Sequence, residues 1–208
     1  MGLRRATDSG GLRQVAPREY PRDTEGLIQQ LQDPDPTVRR WAARDMAIHP
    51  HAVEALCQHL PKEADLAVRE VIFTTLGVLG GHDVASGLVP LLRSEDANLR
   101  NGAIEALSGL PDEVAPHIEE LLIDPDADVR IFTLNVLTDL SHPNIGTWLS
   151  QVLCHDPHVN VVAAALEVLA ETGSPEALSA VRQARQRFAD DPFIGFAADL
   201  AEQRMATA

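Results

Sequence analysis

Lysine is almost absent from this 208-residue chain: of 17 basic side chains, 16 are arginine and only Lys62 is lysine. There is no lysine-rich tract, and 31 acidic residues bring the formal charge to −14. So acidic a chain is poorly matched to nucleic acid, where cations must displace condensed counterions, and to anionic lipid. Aromatic residues make up only 4% although 45% of residues are hydrophobic, so the apolar content is alanine, leucine and valine. That mixture favours many close-packed helices over a large sheet and excludes a wholly disordered chain. Cysteine is scarce too. Cys57 and Cys154 lie far apart with no CxxC pair, the pattern of a reduced, intracellular protein. Residues 6–20 hold no apolar run of signal-peptide length, and Ala6 stands where a myristoylation signal needs Ser or Thr. No apolar stretch is long enough to cross a bilayer. A cytoplasmic protein without membrane contact is the expectation.

Charge is unevenly placed. Residues 1–22 carry five arginines against Asp8 and Glu19, a net of +3, which leaves −17 on the remainder. With Gly10, Gly11, Pro17 and Pro21, this segment reads as a loosely attached basic arm, with a single domain over 23–208.

What the chain has in abundance is one phrase. It occurs as Asp33-Pro-Asp-Pro-Thr-Val38-Arg39, Glu63-Ala-Asp-Leu-Ala-Val68-Arg69 and Glu95-Asp-Ala-Asn-Leu99-Arg100. It returns as Asp124-Pro-Asp-Ala-Asp-Val129-Arg130 and, altered, as Asp156-Pro-His-Val-Asn-Val161-Val162. The Val/Leu anchors lie 30, 31, 30 and 32 residues apart, and a degraded sixth copy begins at Asp191. After each anchor, positions +3, +4, +7, +8 and +11 are mostly apolar or small, and position +5 is always apolar, a stripe wide enough to pack on two neighbours. Asp35, Asp65, Asp96 and Asp126 precede the anchors by three residues and are placed to cap helix starts. Each also precedes Arg39, Arg69, Arg100 or Arg130 by four, the favourable order for an acid–base helix pair that can also bridge adjacent repeats. This Asp/Arg ladder is read as structural.

Shorter amphipathic helices are expected between the anchored ones, over 24–32, 51–60, 84–93, 113–123, 145–154 and 176–187. Pro50, Pro111, Pro143 and Pro175 suit helix starts. The predicted fold is all-α, a solenoid of about six stacked antiparallel helix pairs near residues 23–49, 50–80, 81–110, 111–141, 142–173 and 174–205.

The D-P-D-x-x-V-R phrase, the alanine-rich helix after it and the period resemble HEAT-like repeats. The likeness is to the short bacterial subclass first recognised in phycobilisome bilin lyases, and it covers residues 23–205. It implies an armadillo-like superhelix in which the anchored helices line a concave face that receives ligands. On that implication, positions +2, +6 and +9 form the candidate binding strip: Arg40, Glu70, Asn101 and Ile131, then Arg44, Thr74, Glu105, Asn135 and Glu167, then Ser108 and Thr138. The strip has small residues on its floor, a basic end at Arg40 and Arg44, and an acidic middle and far end. It suits a protein or peptide partner with a charge gradient.

Two departures stand out. Asp45 takes the apolar +7 position of the first copy, as a terminal cap would, and His158 and Val162 replace the ladder pair of the fifth.

Catalytic signatures are missing. There is no Gly-rich phosphate loop, no G-x-S-x-G and no H-E-x-x-H. Cys57-Gln-His59 and Cys154-His155 each hold one cysteine and lack paired zinc spacing. His49, His51, His82 and His142 fall at inter-helix turns. The di-iron enzymes among HEAT-like proteins use His-Glu pairs, and this chain has no His-Glu dipeptide. The base-excising members use a basic aromatic cleft, whereas Trp41 and Trp148 fall in helix patterns that suggest packing. No catalytic residue, metal or cofactor is assigned. A non-catalytic adaptor or scaffold is expected, as a monomer or a subunit of a larger complex. A bilin lyase-like, chromophore-handling role is the alternative, with Arg40, Arg44 and Glu70 for propionates and pyrrole N–H groups.

Overall fold

The computed structural model describes residues 20–207, and no strand occurs among them. Among the described residues, twelve α-helices form six pairs. The first three pairs are α1 (Thr24–Gln30) with α2 (Pro36–Asp45), α3 (Val53–His59) with α4 (Leu66–Leu79), and α5 (His82–Leu88) with α6 (Ala97–Ser108). The others are α7 (Pro111–Leu121) with α8 (Ala127–Asp139), α9 (Ile145–His155) with α10 (Val159–Thr172), and α11 (Leu178–Arg187) with α12 (Pro192–Thr207). The anchored helices α2, α4, α6, α8, α10 and α12 pack side by side in order. Behind them α3 packs on α5, α5 on α7, and α9 on α11. The result is the expected helical solenoid.

The core follows the repeat period. Val68, Ile72 and Leu76 on α4, Leu99, Ala103 and Leu107 on α6, and Val161, Ala165 and Leu169 on α10 are all buried. Leu56, Leu88, Ile118 and Leu149 meet them from the second layer. Each such leucine contributes about 1.5–3 kcal/mol by leaving water.

Proline shapes the second layer more finely than the spacing suggested. Pro90 lacks the N–H needed to continue α5, so the chain tightens into a 3₁₀ turn over Val89–Arg93. Pro50 and Pro175 likewise open 3₁₀ turns ahead of α3 and α11, and Pro111 occupies the first turn of α7. The reversal from α4 into α5 uses Gly80 and Gly81 at φ of +60° and +90°, where a side chain would be strained.

Residues 1–19 of the expected arm lie outside the described residues. Its last three residues are fastened to the first pair: the Tyr20 hydroxyl donates to Asp33 at 2.8 Å, and Arg22 pairs with Asp45. Pro21 lies so close to Gly26 that a Cβ there would come within 2.4 Å of its carbonyl oxygen. The two tryptophans divide. Trp148 is buried and stacks on His142 with ring centroids 4.7 Å apart. Trp41, expected to pack, is instead half exposed, because α2 belongs to the first repeat and has no earlier neighbour to cover it.

Candidate binding groove and the ladder beside it

Asp35, Asp65, Asp96 and Asp126 each cap an anchored helix. Asp35 accepts from the Thr37 N–H at 2.8 Å, and Asp65 from Ala67 and Val68 at 3.0 and 3.1 Å. Asp96 accepts from Asn98 at 2.9 Å, and Asp126 from Asp128 at 2.9 Å. Exposed Asp-to-Arg pairs within one helix are not what the arginines make. Each first donates back to a carbonyl at the head of its own phrase. Arg39 reaches Asp33 O at 2.9 Å, Arg69 Glu63 O at 2.6 Å, Arg100 Ser94 O at 2.9 Å and Arg130 Asp124 O at 2.7 Å.

Three of the four then cross to the next repeat. Arg39 grips Glu63 with two donors at 2.7 Å, Arg69 reaches Asp96 at 2.7 Å, and Arg130 grips Asp156 at 2.7 and 3.2 Å. Arg100 makes no such crossing. It lies 4.4 Å over the Phe132 ring, and Asp124 pairs with Arg93 instead. The carboxylates five residues before the anchor (Glu63, Asp124 and Asp156) therefore join Asp96 as the cross-joint acceptors. They were visible at the head of each phrase, but a helix-periodicity reading gave them no role.

Glu63 is 2% exposed. Burial alone would raise its pKa, but hydrogen bonds from Arg39, the Asp65 N–H and His59, with the Arg39 charge, override it and hold the carboxyl down at about 2. His59 lies 2.9 Å from the same carboxylate and is buried, so it belongs to this pairing and not to a Cys57–His59 ligand set. Burial pushes the Cys57 thiol up to about 11. Cys154 donates to Gln183 at 3.3 Å. Among the described residues no group of three or more His, Cys, Asp or Glu is placed to hold a metal ion.

The fifth joint keeps the pattern by substitution. Val162 has no donor to offer, and Arg187 from α11 supplies one, donating to Asp156 O at 2.5 Å and Leu153 O at 2.6 Å. Asp156 also accepts from the His158 N–H at 2.8 Å, where the capping aspartate is missing.

Along the exposed faces of the anchored helices α4, α6 and α8 runs an open groove. A cavity of about 540 Å³ between α4 and α6 is lined by Glu70, Phe73, Thr74, Asn101 and Glu105 among others. A second, of about 420 Å³, lies between α6 and α8 and includes Asn101, Glu105, Ser108, Asn135 and Asp139. They share Asn101 and Glu105, so the two form one channel across three helices. Of the strip positions, Glu70, Thr74, Asn101, Glu105, Ser108 and Asn135 line it.

The remaining strip residues lie elsewhere or are partly covered. Arg40 and Arg44 are exposed on α2, Arg44 lying 5.4 Å over the Trp41 ring, and Glu167 is exposed on α10. Ile131 and Thr138 are half-buried. Hydroxyls are partly committed: Ser108 donates to Ile104 O and Val136 O, Thr138 to Leu134 O, and Thr74 to Glu70 O. The floor is set by close helix approach, because a Cβ on Gly102 would fall 2.3 Å from the Phe73 ring.

A family profile described as HEAT repeats matches residues 24–108 and 114–193. The chain belongs to the HEAT-repeat family. Over 152 residues this HEAT-repeat chain is 32% identical to the bilin biosynthesis protein PecE of Mastigocladus laminosus. That stretch is 71% of the chain but 56% of the relative, so the chain spans little more than half of that relative's length. Among solved structures it resembles the complex of CpcE and CpcF of phycocyanin lyase from Nostoc sp. PCC7120 (20% identity, TM-score 0.37, 91% of this chain and all of that one). It also resembles the archaeal HEAT-like repeats protein from Thermococcus onnurineus NA1 (18% identity, TM-score 0.47, 87% of each chain). No helix among the described residues is long and apolar enough to cross a membrane.

Proposed function

We propose that this HEAT-repeat chain is a non-catalytic adaptor that holds a protein or peptide along the concave face formed by its anchored helices, in the cytoplasm. The observation that carries this reading is the continuous channel over α4, α6 and α8, with exposed Glu70, Asn101, Glu105 and Asn135 along it. Exposed amides and carboxylates beside an apolar ring provide polar contacts and a place for a side chain, which extended segments need. The test is a photo-crosslinking amino acid placed at Asn101 or Asn135, and separately at Glu54 on α3, in the native cell. Covalent capture of a protein from the first two positions but not from Glu54 is the expected result. Equal capture from both layers would sink the reading.

Chromophore handling is the second reading, supported by the likeness to a bilin biosynthesis protein. The exposed Trp41 with Arg44 over its ring offers an aromatic face beside two arginines, which the low aromatic content had not led us to expect. Mixing the purified protein with a linear tetrapyrrole tests it. A red-shifted, sharpened visible band that Trp41→Ala abolishes would favour this reading over the adaptor.

A further inference from the structure

The α4–α6 half of the channel is chemically one-sided. Glu70 and Glu105 are exposed and make no ion pair among the described residues. The only cation among the described residues of the lining, Arg69, is already spent on Asp96 at 2.7 Å and on the Glu63 carbonyl. Asn98 and Asn101 add neutral acceptors, and the half-buried Phe73 ring supplies an apolar face. Two free carboxylates, amide oxygens and a ring together match a planar, multiply donating cation better than a compact one. The protein itself lays guanidinium groups over rings elsewhere, Arg44 over Trp41 and Arg100 over Phe132.

We propose that this groove takes an extended peptide segment of a protein partner that carries arginine, its guanidinium lying over Phe73 and bonded to Glu70 and Glu105. The proposal rests on the adaptor reading and names the partner's chemistry.

The test uses the full chain and three labelled decapeptides of Gly and Ser that differ at two central positions: arginine, its neutral isostere citrulline, or glutamate. Fluorescence anisotropy at low salt should show the arginine peptide binding about tenfold more tightly than the citrulline peptide, and the glutamate peptide not at all. Glu70→Gln with Glu105→Gln should erase that tenfold preference and leave the citrulline peptide unchanged. Gly77→Leu blocks the groove without touching a charge. A Cβ at Gly77 has open space around it, so the variant should fold, and circular dichroism checks this. It should weaken arginine-peptide binding by at least about tenfold.

Equal affinity for arginine and citrulline peptides, or no effect of Gly77→Leu, overturns the proposal. If crosslinking at Asn101 still captures a protein, the adaptor reading survives that failure; if it captures none, both fall. Tighter peptide binding by a full chain with Arg4, Arg5, Arg13 and Arg18 all changed to Gln would assign the groove to this chain's own N-terminal residues and overturn the partner assignment.

Discussion

The joint between the fourth and fifth repeats and the joint between the third and fourth use the same arginine of the same phrase in opposite ways. Arg130 is buried, grips Asp156 with two donors and keeps a third bond to its own turn. Arg100 keeps the turn bond only. Its plane lies on Phe132, and its Nε is buried without a hydrogen-bond partner among the described residues. The carboxylate that Arg100 should meet, Asp124, has been taken by Arg93 at the end of the preceding turn. A repeated residue therefore carries no fixed energy. Its worth is set by which competitor reaches the acceptor across the joint.

The sharpest way to break this comparison is to remove each arginine in turn. Arg130→Ala leaves Asp156 buried with only its backbone donor and should cost about 3–5 kcal/mol in urea unfolding. Arg100→Ala should cost about 1 kcal/mol, since it loses one hydrogen bond and some packing but also deletes an unpaired donor. Similar losses would mean that the two joints are equivalent after all.

Acid should distinguish the well-gripped joints next. Glu63 is held at about 2, below its ordinary 4.5, so the folded state resists its protonation. The stability it confers is whole above about 4.5 and is lost as pH falls from there toward about 2. Urea midpoints measured across that window should fall less steeply in Glu63→Gln, which starts less stable at neutral pH. An unchanged acid slope would remove Glu63 from the account.

Two glycines on neighbouring helices extend the contrast to the groove. Gly102→Ala drives a methyl into the Phe73 ring and should destabilise by about 1–3 kcal/mol in thermal melts. Gly77→Ala meets nothing and should stabilise by about 0.5–1 kcal/mol, because alanine restrains the unfolded chain and favours helix. The smallest effect is expected from Ser94→Asp. It places a carboxylate where Glu63, Asp124 and Asp156 stand in the other joints, as a second acceptor beside Asp96, and it should raise the melting temperature slightly only while Arg69 is present.

The repeat register, the helix caps and the strip over α4, α6 and α8 were legible because each depends on spacing within one helix or one turn. Asp65 caps α4 for reasons contained in its next three residues. The cross-joint pairing was not legible. Whether Arg100 or Arg93 reaches Asp124 depends on how a 3₁₀ turn brings Arg93 forward, and no periodicity encodes that. Trp41 was misread for a related reason: an apolar position on an anchored helix implies burial only where another repeat precedes it. Arg187 stands outside every phrase and carries no motif, yet it completes the fifth joint.

That last residue limits how such a chain can change by copying. Repeats that carry their own clamp can be duplicated or lost as whole units, and the neighbours still meet in the same way. The fifth unit has surrendered its donor to the sixth, because Arg187 now serves the carbonyl that Arg130 and its counterparts serve from within their own units. Units five and six are thus held together by a donor that the fifth does not carry itself. Deleting the sixth unit alone would leave the Leu153 and Asp156 carbonyls without that donor, unless Val162→Arg restored one from within the fifth.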